Sequence, residues 1–122
     1  MGLDTSHECW HGSYGRFNAF REALAVAAKL PPLRSMAGFE ARDQAEAGLP
    51  WDPYRDDPLV ILLDHSDCDG EITAEEATPL ARRLLAMAEF SYDLAEEHRE
   101  NARRFARGLF DAAARGEPVE FH

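Results

Sequence analysis

The residues best suited to chemistry lie in twelve consecutive positions, His65-Ser66-Asp67-Cys68-Asp69-Gly70-Glu71-Ile72-Thr73-Ala74-Glu75-Glu76. Asp67 and Asp69, the third and fifth of these, direct carboxylate oxygens to the inside of a turn, as a hard cation requires. Gly70 follows where the chain must bend sharply, at a backbone angle that a side chain would obstruct. Glu71 would then supply its backbone carbonyl, Ile72 would tie the loop to the core, and Thr73 would contribute directly or through water. Glu76 at the twelfth position would be the bidentate ligand. The set His65, Asp67, Asp69, Glu71, Thr73 and Glu76 predicts a divalent cation, calcium by its oxygen donors. The departure is His65, a neutral nitrogen donor that a hard cation does not prefer. A weak site, a site using Asp64 after a one-residue distortion, or a different metal would each accommodate it. The competing reading is a plain turn, since Asp, Gly and Thr explain a bend and a capped helix without any ion.

A second set of ligands overlaps the first. His7, Cys9 and His11 alternate near the N-terminus, and His65 and Cys68 are three apart, so a fold that gathered them could hold a tetrahedral zinc. Neither cluster has paired Cys-x-x-Cys spacing, and the bland alternative is that the histidines bond to backbone while Cys9 packs as a small hydrophobe. Hydrolysis at such a metal would need a base, and Glu8, Asp67 and Glu71 are the nearby choices. The sequence displays no nucleophile-base-orienter set and no Gly-rich phosphate loop, so no residue is assigned a catalytic role and a non-catalytic protein is expected.

These residues need elements to position them. Phe17, Phe20, Leu24, Ala27 and Ala28 form one stripe of a helix from about Ser13 to Lys29, capped by Ser13 and ended by Pro31 and Pro32. Residues 31–57 read as an irregular connection carrying Phe39, Trp51 and Tyr54 as a lid, with one short helical piece. Asp57-Pro58 signals a helix start, and Leu59 to Leu63 predicts a short, wholly buried helix, with a strand as the alternative. Thr73 and Glu76 stand in capping-box spacing before a helix marked by Leu80, Leu84 and Met87, which Pro79 would kink or restart. Leu94, His98, Ala102, Phe105, Leu109 and Ala112 mark the last helix, with Gly116 at its C-cap and the tail 117–122 docking as a short extended piece. His98 on that stripe reads as a satisfied core histidine. Four helical segments without strand alternation predict an all-α single domain over residues 1–122. Within it, residues 58–90 form a helix-loop-helix like the EF-hand, whose loop has the twelve-position spacing above.

Length and charge narrow the functional classes. A chain of 122 residues has room for one ordinary core. Thirteen Lys and Arg against 23 Asp and Glu give a formal charge of −10, which repels phosphate backbones and anionic membranes, so neither nucleic acid nor membrane is expected as a partner. The basic residues Arg82, Arg83, Arg99, Arg103, Arg104 and Arg107 leave a local anion site as a minor option, beside the plainer reading of a solvated face. The N-terminus has neither a basic n-region nor a long apolar run, and two cysteines fit a reduced, cytoplasmic setting. EF-hand loops usually pair, and no second Asp-x-Asp-Gly pattern occurs, so a homodimer is the expected assembly. An acidic inhibitor occupying a basic site on a host factor is a further class, warranted by net charge alone.

The opening Gly2-Leu3-Asp4-Thr5-Ser6-His7, the following Cys9-Trp10-His11-Gly12-Ser13-Tyr14 and the segment His65-Ser66-Asp67-Cys68-Asp69-Gly70-Glu71-Ile72 together resemble a family of small bacteriophage and prophage proteins. The resemblance extends over the first helix and a tail ending Val119-Glu120-Phe121, and leaves Arg34 to Tyr54 unmatched. It implies a cytoplasmic, phage-related protein of unknown role and supplies no catalytic residue; a host or phage protein is a partner option beside the homodimer.

Overall fold

Local signals set most of the helix ends. Ser13 accepts a hydrogen bond from the Arg16 amide at 3.2 Å and starts α1 (Tyr14–Ala27). Lys29 takes a left-handed conformation with φ +61°, Leu30 donates back to the Ala25 carbonyl at 2.9 Å, and the two prolines follow. The computed structural model describes residues 2–39 and 48–122. The segment 40–47 of the expected irregular connection lies outside the described residues. On either side of it, short 3-10 turns at Leu33–Ser35 and Asp52–Tyr54 and a bridge between Met36 and Leu49 bring the connection against the core. Trp51 is buried and donates its indole N–H to the Ala37 carbonyl at 2.9 Å.

The Asp57-Pro58 signal leads through turns into a single helical turn, α2 (Val60–Leu63), whose Val60, Leu62 and Leu63 are buried while Ile61 is only half-buried. Asp57 accepts from the Leu59 amide and from both Nε and Nη2 of Arg83, at 3.0, 2.9 and 3.0 Å. Then come β3 (Glu71–Ile72), α3 (Ala74–Phe90) and α4 (Glu96–Arg115), with α3 running unbroken through Pro79. Gly116 closes α4 with φ +66°. Helices α3 and α4 pack as a helical hairpin, and Phe17, Phe20 and Leu24 of α1 enter the same core as Leu80, Leu84, Phe105 and Leu109.

The expectation of an all-α domain is corrected by two small antiparallel sheets. β1 (Gly2–Asp4) pairs with β2 (His11–Ser13) in the register Leu3 to Gly12, and β3 pairs with β4 (Val119–Glu120) in the register Ile72 to Val119. Strands of two or three residues have no room to display the period-two alternation that identifies a strand from sequence. No helix among the described residues is long and apolar enough to cross a membrane.

Candidate functional site

The loop 65–76 is held at both ends before any side chain turns inward. At its start the Ser66 hydroxyl accepts from the Cys68 and Asp69 amides at 3.2 and 3.3 Å, a side-chain turn that curls the chain. Gly70 then adopts φ +86°, which favours glycine. Beyond it Ile72 is fully buried and pairs with Val119, so the loop is fastened to the core at the expected residue. The exit helix has a reciprocal capping box: Thr73 accepts from the Glu76 amide at 3.2 Å, and Glu76 Oε1 accepts from the Thr73 amide and hydroxyl at 3.0 and 3.1 Å.

The concave side of the turn holds the His65 ring. Its Nδ1 lies 2.7 Å from the Ser66 carbonyl oxygen and its Nε2 lies 3.0 Å from the carbonyl oxygen of Glu71. Both partners only accept, and a neutral imidazole carries one N–H, so it donates to one of them at a time. Phe121 packs against the ring with centroids 4.1 Å apart, and a Cβ on Gly70 would lie 3.5 Å from its Cε1. The imidazole therefore engages the carbonyl that the spacing reserved for a cation. Asp67 is half-buried and Asp69 exposed, and Glu76 commits Oε1 to its helix cap. The structure thus brings His65 to the Glu71 carbonyl and Thr73 to Glu76. Among the described residues it gathers no three His, Cys, Asp or Glu side chains around one point.

The histidine and cysteine set is dispersed. His7 bonds through Nδ1 to the Ser6 hydroxyl at 2.8 Å and through Nε2 to Glu117 at 3.0 Å. His11 pairs with Asp4 on the exposed face of the first hairpin. Cys9 is fully buried against Gly108, where a Cβ would strike the Cys9 sulfur and the His7 carbonyl oxygen. Burial pushes its thiol up to about 12, Thr5 partly offsetting the shift and Asp111 adding to it. A zinc ligand must be the thiolate, the form that this environment disfavours. Cys68 is exposed in the loop, 3.5 Å from the Ser66 hydroxyl. His98 packs near Phe20 as its stripe position implied, but its buried Nδ1 has no partner among the described residues, so it is not the satisfied histidine expected.

Two groupings escape the sequence reading. Ser6, His7 and Glu117 form a hydrogen-bonded chain that needs the last helix to return to the N-terminus, and no local spacing announces it. Ser6 also accepts from the Glu120 amide at 2.8 Å, which ties the tail to this turn. His7 lines a cavity of about 390 Å³ with Glu8, Arg104, Arg107 and Asp111, and Ser6 does not line it. The second grouping centres on Arg21, 2% exposed, whose Nη1 donates to the His65 carbonyl at 2.7 Å. A signal existed for it: Arg21 lies four residues after Phe17 and three before Leu24, on the apolar stripe.

Compared with protein-family models, curated proteins and solved structures, the chain matches none.

Proposed function

We propose that the protein is a non-catalytic helical module whose loop 65–76 takes up a divalent cation, calcium by its donor chemistry, in exchange for the His65 ring. The observation that carries this reading is the left-handed turn at Gly70 closing around a polar plug held by the Glu71 carbonyl, 3.0 Å from His65 Nε2. Asp67, Asp69, the Glu71 carbonyl, Thr73 and the Oε2 atom of Glu76 are the oxygen donors that would hold the ion once the ring withdraws. Calcium accepts six to eight such oxygens in flexible geometry, which suits a loop curled at Ser66 and fastened at Ile72 and Thr73. The Ser6-His7-Glu117 chain does not compete as a catalytic site, because Ser6 is bonded to the tail and stands apart from the cavity beside His7.

Calcium titration followed by melting temperature tests the reading. Binding to the folded state alone stabilises by about 2.7 kcal/mol at a hundredfold excess over Kd. The parent protein is expected to gain stability with calcium, and Glu76→Gln, which keeps a capping-box side chain, is expected to lose that gain. His65→Asp removes the plug and restores an oxygen donor, so calcium should bind it about tenfold or more tightly than the parent. Absence of a calcium response in both the parent and His65→Asp ends the proposal.

A further inference from the structure

Beside α1 the structure holds a cavity of about 360 Å³ in which two opposite charges face the same space without meeting. One is Arg21, buried between the rings of Phe17 and Phe39, with its guanidinium carbon 4.7 and 5.0 Å from their centroids. Its Nη1 is used by the His65 carbonyl, and its buried Nε has no acceptor among the described residues. Arg83 shows what this fork can do elsewhere in the molecule, holding Asp57 through Nε and Nη2 at 2.9 and 3.0 Å. Arg21 has no carboxylate within ion-pair distance among the described residues, and burial pushes its guanidinium down to about 10 while the charge of Asp67 acts in the opposite direction. The other charge is Asp67 itself, which lines the cavity and pairs with no cation among the described residues. The neighbouring Asp64 differs, being bonded to Arg55 at 2.8 Å.

We propose that this cavity binds a small zwitterion, an α-amino carboxylate, with its carboxylate on Arg21 and its ammonium on Asp67. An unpaired buried guanidinium favours a planar carboxylate, which it can grip with two parallel hydrogen bonds. The two aspartates disfavour a dianion such as phosphate, whereas a ligand of zero net charge answers Arg21 without adding repulsion. The volume lies in the range of small-molecule sites, and the Phe39 ring supplies an apolar wall. This inference does not rest on the cation reading, and measurement in the presence of a chelator separates the two.

The Arg21 Nε–H resonance reports the contact directly in nitrogen-proton correlation spectra, and Arg21→Lys assigns it by its disappearance. L-alanine is expected to shift that resonance saturably. N-acetyl-L-alanine, lacking the ammonium, and L-alaninamide, lacking the carboxylate, should each bind about tenfold more weakly. In Asp67→Asn, a change at the cavity rim that leaves the buried arginine in place, L-alanine and its N-acetyl derivative should bind equally. An unmoved resonance overturns the proposal, as does the same shift with all three compounds or with chloride at matched ionic strength. Retention of the ammonium preference in Asp67→Asn overturns it as well.

Discussion

Cys9 has no exposed surface and a thiol held up near 12, whereas Cys68 stands exposed in the 65–76 loop, so the two thiols should behave differently. In the native protein a thiol reagent at mildly alkaline pH is expected to modify Cys68 rapidly and Cys9 only on unfolding; rapid modification of both would contradict the packing under Gly108. The same burial has a consequence for stability. Between the ordinary thiol value of 9.0 and about 12, the unfolded chain has lost a proton that folded Cys9 retains. Stability from this group is therefore complete below the unfolded value and declines as pH rises through the window, by at most about 4 kcal/mol. The urea midpoint of the parent should fall more steeply above pH 9 than that of Cys9→Ala, which lacks the titrating group. Parallel curves would refute the assignment.

At the scale of elements, the α3–α4 corner depends on one side chain. Arg99, in the first turns of α4, donates from Nε to the Leu94 carbonyl, from Nη1 to Ala88 and from Nη2 to Ser91, at 2.7, 3.0 and 2.7 Å. It thereby ties the Ala88 carbonyl in the last turn of α3 to the Ser91 and Leu94 carbonyls of the corner, where the Ser91 carbonyl also accepts from the Leu94 amide at 3.1 Å. Sequence placed Arg99 in a solvated basic run; the structure half-buries it and uses all three nitrogens. Arg99→Ala is expected to cost about 2–4 kcal/mol in urea unfolding, with Arg99→Lys recovering only part because an ammonium cannot reproduce the fork. A loss below about 0.5 kcal/mol, ordinary for a surface substitution, would place Arg99 back among the solvated charges.

For the whole molecule, the tail is the closing piece. Asp4 and His122 exchange two backbone hydrogen bonds of 2.9 Å, Phe121 donates to the Gly70 carbonyl at 2.9 Å, and β4 pairs with the loop strand β3. β4 thereby occupies one edge of β3. Phe121 is 4% exposed and touches both the Phe17 ring and the His65 ring, so it links α1 to the loop. Phe121→Ala should cost about 3–5 kcal/mol and should speed amide exchange in β3 more than in the α3–α4 hairpin. Uniform acceleration across both would show that the tail does not act on the loop selectively.

Sequence alone determined what neighbours along the chain decide: the Ser13 cap, the Thr73–Glu76 box, the left-handed Gly70 and Gly116, and an end of α1 ahead of Pro31, though the left-handed Lys29 closes that helix already at Ala27. Each depends on groups within one helical turn, so composition and spacing carry the physics. Tertiary structure decided the rest. The His65 ring turns into the loop where Phe121, distant in sequence, packs against it. Arg21 shares a cavity with Asp67 because α1 crosses the loop, and the two-residue strand β3 exists only because the tail returns to pair with it. Such contacts depend on the closure of long chain segments, which no local pattern of residues encodes.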